Sequence, residues 1–531
     1  MAPAKFNLQH TRRTVLSALL HSGDRFGPEK IAIIDGDERA MTYSQLIRAS
    51  FALGHALRAG TAKGETIGVL LPTGIGPVLT FFALQAIGRV PAMLNFTSGA
   101  KSLIAACKAA KISRIITAHK FIEVGGYQAL VDAMSKDVEF VYLENVRSKL
   151  SLVDKAWGAC GPFLPQLFIV HRAPDDPAVT LFTSGTEGEP KGVVLSHAAL
   201  LANVEQVKSH IDLYPDDIVF NPLPTFHCFG LTVGSIMPLI LGLKSVQHPT
   251  PLQARQIAKR VRHTGATILL ATDTFLSQYA RAGDQGDLNS LRLAVCGAER
   301  VRDETRSIVK RKYNLEILEG YGVTETAPVA AANQPGASRN GTVGKLVVGM
   351  EMKLEPVEGI HGAGRLFLRG PNVMLGYLSP DAPGIVHRPP DGWHDTGDIV
   401  SVDEDGYITI RGRMKRFAKI GGEMVSLAVV ENCASALWPD NMHAAIAIPD
   451  GRKGEQIVLL TDCPDANRSD LIGWARNHGV PELAVPRQIL IAEAIPLLGT
   501  GKIDYTRADA FVKERLAEES ATGDAPARSA G

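Results

Sequence analysis

From Ile31 to about Asn333, short apolar runs rich in β-branched residues alternate with longer mixed segments. Ile67-Gly68-Val69-Leu70-Leu71, Arg114-Ile115-Ile116-Thr117, Ala178-Val179-Thr180-Leu181-Phe182, Thr267-Ile268-Leu269-Leu270, Leu291-Arg292-Leu293-Ala294-Val295 and Leu315-Glu316-Ile317-Leu318 read as strands. Strands spaced by helix-length segments predict parallel, doubly wound α/β sheets. Ligands of such sheets lie in the crevice at the carboxyl ends of the strands. After Gly341 the pattern changes to strand following strand: Glu351–Leu354, Gly364–Leu368, Ile399–Val402 and Tyr407–Ile410. Asp403-Glu404-Asp405-Gly406 joins the last two as a hairpin turn. The pattern predicts a large domain over 1–411, its last part (about 341–411) a β-rich subdomain. A smaller α+β segment follows to residue 516, and 517–531, small and polar, is expected to be a disordered tail.

A chain of 531 residues exceeds what one core usually supports, in agreement with more than one domain. A net charge of +1 supplies no global field for nucleic acid or an anionic membrane, so no nucleic-acid partner is expected. The six cysteines show no C-x-x-C spacing, which argues against a disulfide framework or a zinc site and for reduced thiols in the cytoplasm. Val15–Leu20 is too short for a signal peptide. Residues 66–88 and 218–243 carry no charge and are long enough to span a bilayer, but both are broken by Pro and Gly. They read as buried strand–loop–helix units, with no transmembrane segment expected and peripheral membrane contact left open.

Chemistry concentrates in the loops after the strands. Thr183-Ser184-Gly185-Thr186-Glu187-Gly188-Glu189-Pro190-Lys191-Gly192 follows the 178–182 run directly. Short hydroxyls and closely spaced backbone N–H groups suit an anion such as phosphate, and glycine lets the backbone approach it. Lys191 adds a positive charge on a long stem. No G-x-x-x-x-G-K-[ST] can be drawn through the stretch, so it is not a Walker A loop. Glu319-Gly320-Tyr321-Gly322-Val323-Thr324-Glu325-Thr326 follows the 315–318 strand, and Tyr321 offers a ring face to a flat ligand.

Together these stretches resemble the adenylate-forming superfamily of acyl-CoA synthetases, acyl-carrier-protein synthetases, luciferases and peptide-synthetase adenylation domains, over roughly residues 30–510. With Glu187, Phe417–Ser426 and Pro496–Lys502, the chain resembles, more narrowly, the acyl-carrier-protein synthetase domain of bacterial 2-acylglycerophosphoethanolamine acyltransferases. The resemblance implies ATP and Mg2+ as cofactors. Thr183, Ser184, Gly185, Thr186, Gly188 and Lys191 would form the phosphate loop, with Gly297, Ala298 and Glu299 beside the nucleotide or acyl group. Gly320, Tyr321 and Gly322 would bind adenine, with Thr324 at the α-phosphate and Glu325 as magnesium ligand. Asp398 and Arg413 would hold the ribose, and Asp395 would serve its local turn.

Lys502 corresponds to the lysine that bridges carboxylate and α-phosphate during adenylation. Residues 412–416 would be a hinge centred on Lys415 that swings a small mobile domain, 417–516. One orientation would deliver Lys502, and the other would present Lys419 to Glu423, with Gly421 and Gly422, around a pantetheine tunnel. His227, in Pro224-Thr225-Phe226-His227-Cys228-Phe229-Gly230, would gate the acyl pocket or position the carboxylate, with Phe226, Phe229 and Leu231 lining it. The expected partners are a fatty acid and either holo-acyl carrier protein or coenzyme A. Lys415, Arg416 and Lys419 are candidate contacts for an acidic carrier protein. An acyltransferase built on His171 and Asp176 is the rival from another class; the match stands alone, with no second motif. A non-catalytic relative is disfavoured by the presence of Lys502 and Glu325.

Overall fold

The alternating runs form two large sheets in the computed structural model, which describes residues 6–184, 190–420, 423–450, 454–478, 480–497 and 503–522. The first sheet has eight strands, in the order Ala382–His387, Gly376–Ser379, Pro190–Ser196, Pro177–Ser184, Val90–Met93, Thr66–Val69, Arg114–Thr117 and Glu139–Tyr142. Its last five strands pair in parallel, and the first three are added antiparallel. The second has nine strands, in the order Lys345–Leu346, Val329–Ala332, Glu316–Gly322, Leu293–Cys296, Ile268–Ala271, Ile218–Asn221, Lys244–Gln247, Ile31–Ile34 and Ala40–Thr42. Parallel pairing runs from Glu316–Gly322 to Ile31–Ile34, with antiparallel strands closing both ends. This is the mixed α/β class expected from the sequence.

The parallel strands are buried on both faces, which is why they read as unbroken apolar runs rather than alternating ones. Val69, Ile115, Ile116, Val179, Val219, Phe220, Leu269, Leu270 and Ala294 are each at most 1% exposed. Tyr43 and Tyr279 are fully buried in this core, and their hydroxyls donate to Leu239 O (2.6 Å) and Pro251 O (2.8 Å). The charge-free stretches fold as strand–loop–helix: Thr66–Val69 into the helix Ile75–Ala86, and Ile218–Asn221 into the wide helical turn Phe229–Ile236. Among the described residues no helix is long and apolar enough to cross a membrane.

By internal contacts the chain divides into two units. The first comprises Met1–Glu351, Leu368–His394 and Glu404–Ile408; the second comprises Met352–Phe367, Asp395–Asp403 and Thr409–Gly531. The 341–411 segment is therefore shared between units rather than forming a subdomain of its own. Its strands Gly376–Ser379 and Ala382–His387 join the eight-stranded sheet, because Gly376–Leu378 pairs with Gly192–Val194. The second unit holds a four-stranded sheet, Glu351–Pro356, Gly364–Arg369, His394–Val402 and Ile408–Arg413, and a five-stranded C-terminal sheet. The last helix runs Tyr505–Thr522, so the tail expected from residue 517 begins inside a helix. Ala508 and Val512 anchor it, fully buried against Ala444, Val458 and Leu460.

Candidate active site

In the first unit the phosphate-loop strand Pro177–Ser184 ends with Thr183 opposite Lys191 and Ser184 opposite Pro190. Gly185, Thr186 and Gly188 lie outside the described residues. Lys191 is the second residue of the returning strand, and its Nζ lies 5.5 Å from the centre of the Tyr377 ring. The Tyr377 hydroxyl donates to Glu325 Oε1 at 2.5 Å. A phenol thus stands between the candidate phosphate-loop cation and the candidate magnesium carboxylate, with its ring facing the first and its hydroxyl on the second. Sheet pairing sets this geometry: Tyr377 is registered opposite Val193, two residues beyond Lys191. The backbone ties Glu325 to the same segment, since Met374 N donates to Glu325 O (2.8 Å) and Asn372 Nδ2 to Thr326 O (2.6 Å).

Tyr377 was not a sequence candidate. It sits on a four-residue strand whose partner is more than 180 positions away, so neither periodicity nor local spacing marks it.

Gly320, Tyr321 and Gly322 end the strand Glu316–Gly322, paired with Ala332, Ala331 and Val329. Thr324 and Glu325 follow in a single helical turn, both half-buried. One strand over, Cys296 is fully buried and Gly297 faces the ring of Phe229, where an added Cβ would come within 3.3 Å of it. Ala298 adopts φ 68°, a conformation that L residues rarely take. Glu299 accepts from Thr274 N at 3.0 Å and so caps the neighbouring helix Asp273–Ala282. Glu319 is 3% exposed, pairs with Arg306 and accepts from Val301 N at 2.7 Å; burial raises its pKa.

His227 is half-buried, its ring 4.7 Å from that of Phe226. Burial, with the Glu325 charge adding to it, pushes the adjacent Cys228 thiol up to about 12. The His227 turn and the Glu325 turn are therefore neighbours. The expected acyl lining needs correction. Phe226 and Leu231 are 4% and 1% exposed because both point into the main core, which leaves Phe229 as the accessible member.

In the second unit, Asp398 is 3% exposed and its Oδ1 accepts from Arg413 Nε at 3.1 Å, so these two ribose candidates are adjacent. Asp395 accepts from Gly397 N (3.0 Å), the local role expected, and also pairs with Arg365. Lys415 is exposed in the short turn Met414–Arg416. Lys419 is registered opposite Met424, and Ile420 opposite Glu423. Side chains alternate faces along a strand, so Lys419 and Glu423 point to opposite faces of this hairpin. Lys419 and Met424 line a cleft with Glu355, Glu358, Arg365 and Met414. Gly421, Gly422 and Lys502 lie outside the described residues. The flanks of the Lys502 loop are joined by a Leu497–Ile503 bridge and by Asp504 N donating to Pro496 O at 2.8 Å.

Arg416 is committed internally, which corrects its assignment as a docking cation. Its guanidinium pairs with Glu431 Oε1 (2.5 Å), donates to Ala445 O (2.7 Å) and lies 3.7 Å from the Tyr505 ring centre. The Tyr505 hydroxyl donates to the other Glu431 oxygen at 3.2 Å, and Ala445 N donates to the first at 2.9 Å. Burial raises the pKa of Glu431. This cluster ties the turn after Arg413 to the start of the last helix, three residues beyond Lys502.

A lysine and a tyrosine on paired strands beside a carboxylate in a strand-end turn, on doubly wound sheets, form a candidate site of the kind α/β enzymes carry. The profile of the AMP-binding enzyme family matches residues 21–378, more than half the chain, which therefore belongs to that family. The long-chain-fatty-acid–CoA ligase of Salmonella typhimurium is 27% identical over 538 residues, covering 94% of this chain and 95% of its own. The medium-chain fatty-acid–CoA ligase of Escherichia coli is 27% identical over 522 residues, covering 93% and 89%. Among solved structures, o-succinylbenzoate CoA synthetase from Bacillus subtilis with its acyl-adenylate superimposes with a TM-score of 0.80 at 20% identity, covering 94% of this chain and 98% of that one. The anthranilate CoA ligase with anthranoyl-AMP gives 0.79 at 23%, covering 96% and 98%. The chain is an AMP-forming acid–thiol ligase that works through an acyl-adenylate made from ATP.

Proposed function

We propose that this ligase activates a fatty acid and passes the acyl group to a phosphopantetheine thiol, that of holo-acyl carrier protein by its narrower resemblance. The observation that carries the site is the contact chain Lys191–Tyr377–Glu325, beside the His227 turn. A fatty acid carboxylate oxygen attacks the α-phosphorus of ATP, the bond to the bridging oxygen breaks, and pyrophosphate leaves. The thiol then attacks the acyl carbon, giving the thioester and AMP. Lys191 and the hydroxyls of the phosphate loop hold the phosphates, and Thr324 contacts the α-phosphate. Tyr321 packs on the base, Asp398 and Arg413 hold the ribose, and His227 orients the carboxylate at the acyl pocket. Lys502 places its ammonium at the carboxylate and α-phosphate during the first step.

The site suits Mg2+. Glu325 is a half-buried carboxylate beside the candidate phosphate-binding Lys191, and Mg2+ is commonly held by one or two carboxylates plus phosphate oxygens. Glu325 would hold it, and the ion would neutralise phosphate charge. Lys415 serves as the hinge, and Lys419 and Glu423 line the thiol path from opposite faces of their hairpin.

Coenzyme A is the second reading. The named relatives are CoA ligases, and the Arg416–Glu431 pair removes one of three cations considered for docking a carrier protein. Mass spectrometry of products formed from a fatty acid, Mg-ATP and each acceptor in parallel decides between them. Acylated carrier protein without acyl-CoA supports the first reading, acyl-CoA alone overturns it for the second, and neither product overturns both.

A further inference from the structure

The helix Leu152–Cys160 is turned inside out. Its inner side carries Asp154, Trp157 and Gly158. Asp154 is held by His55 Nδ1 (2.6 Å) and by the Ser151 N–H and hydroxyl (2.7 and 2.6 Å), and Trp157 lies 4.3 Å from the His55 ring. A Cβ on Gly158 would come within 2.8 Å of Arg48 O, so this face is seated tightly on the helix Tyr43–Leu57. At 100° per residue the opposite arc carries Leu152, Val153, Ala156, Ala159 and Cys160, all exposed, with Lys155 at its edge. Leu152 is 82% exposed. The segment that follows continues the surface, with Phe163 and Leu167 each 71% exposed and Leu164 also exposed. Five of the fifteen large exposed hydrophobics among the described residues fall within these sixteen positions, so this is a patch rather than scatter.

The charge around the patch has one sign. Arg147, Lys149 and Lys155 are exposed, and the exposed Arg48 guanidinium lies 5.9 Å from the Phe163 ring centre. The sole carboxylate between residues 145 and 172 is Asp154, which faces inward in its pair with His55. Glu144, just outside that range, accepts from the backbone N–H groups of His119 and Lys120.

We propose that residues 147–167 dock on an anionic lipid surface. The helix lies in the plane of the interface, Leu152, Phe163 and Leu167 enter the headgroup–acyl boundary, and Arg48, Arg147, Lys149 and Lys155 meet the phosphates. The charge argument favours lipid over a second copy of the chain, because two such patches would bring like charges together. The proposal is independent of which thiol accepts the acyl group.

Flotation of the full chain with vesicles tests it. The wild type rises with an equal mixture of phosphatidylcholine and phosphatidylglycerol at low salt, and neither with phosphatidylcholine alone nor at high salt. Lys149→Ala and Lys155→Ala each lower the partition coefficient about fivefold. The triple variant Leu152→Ser/Phe163→Ser/Leu167→Ser loses flotation by at least about tenfold. It retains wild-type activation of a water-soluble short acid, which shows that it is folded. A wild type that stays unbound at low salt overturns the proposal, as does a triple variant that floats like the wild type. Sedimentation velocity without lipid provides a second check: a wild-type dimer that the triple substitution turns to monomer, with no flotation of either, assigns the patch to a self-contact instead.

Discussion

Replacing Tyr377 by Phe removes one hydroxyl and leaves the ring in place beside Lys191. The lost bond is to a carboxylate, at 2.5 Å between half-buried groups. Hydrogen bonds to charged partners contribute about 1.5–3 kcal/mol, and partial exposure places this one near the lower figure. A loss of about 1.5 kcal/mol lowers kcat/KM for adenylate formation roughly tenfold. Because the bond orients Glu325, the Mg2+ concentration giving half-maximal rate rises as well. Tyr377→Leu also removes the ring from Lys191, and at about 0.5–1 kcal/mol for an exposed cation–π contact the rate falls a further two- to fivefold. The assay is pyrophosphate release with hydroxylamine trapping of the adenylate, run across a Mg2+ titration. Wild-type Mg2+ dependence in Tyr377→Phe would refute the reasoning. So would a rate loss accompanied by an equal fall in the melting temperatures of both variants, which would mark Tyr377 as packing only.

Three further outcomes are expected. Lys502→Ala abolishes adenylate formation but largely spares thioester formation from supplied acyl-adenylate; rapid-quench measurement of the two half-reactions checks this, and equal loss of both removes the assignment. Arg416→Ala leaves Glu431 buried without its cation and destabilises the second unit by about 3 kcal/mol, whereas Arg416→Ala/Glu431→Gln recovers much of that in urea unfolding. His197 is 1% exposed, and burial, with Arg172 adding, lowers its pKa to about 4. The unfolded chain takes up that proton near pH 6.5, so the stability from keeping His197 neutral is present above pH 6.5. It is lost as pH falls toward 4, by up to about 3 kcal/mol. His197→Gln flattens this part of the stability–pH curve, as unfolding midpoints between pH 7 and 4.5 will show.

The sequence reading recovered what is local. Ala178–Phe182, Arg114–Thr117 and Thr267–Leu270 lie within a residue or two of the observed strands, because fully buried parallel strands leave continuous apolar runs. Phosphate-binding and magnesium-binding candidates were visible because each is a short loop with several informative residues in order. What escaped depends on pairing between distant segments. Tyr377 acquires its neighbours through a strand partner at Val193, and Gly376-Tyr377-Leu378 carries no cue to that partner beyond its alternation. Arg416 looked like a surface cation because its partners Glu431 and Tyr505 come from two helices farther along the chain. That Lys419 and Glu423 lie on opposite sides of their hairpin follows from its register, which the sequence does not state.

The antiparallel addition of Gly376–Ser379 to Pro190–Ser196 also constrains the order in which the molecule can be made. During synthesis Pro190–Ser196 pairs with its hairpin partner as soon as both emerge. Its other side then waits, as an open row of N–H and C=O groups, for a strand synthesised about 180 residues later. The segment left waiting contains Val193-Val194-Leu195, apolar and uncharged, the kind of edge that recruits strands from other molecules. A fragment ending at residue 370 keeps every candidate phosphate-loop residue yet leaves that edge uncovered, and it should precipitate where one extended past His387 stays in solution.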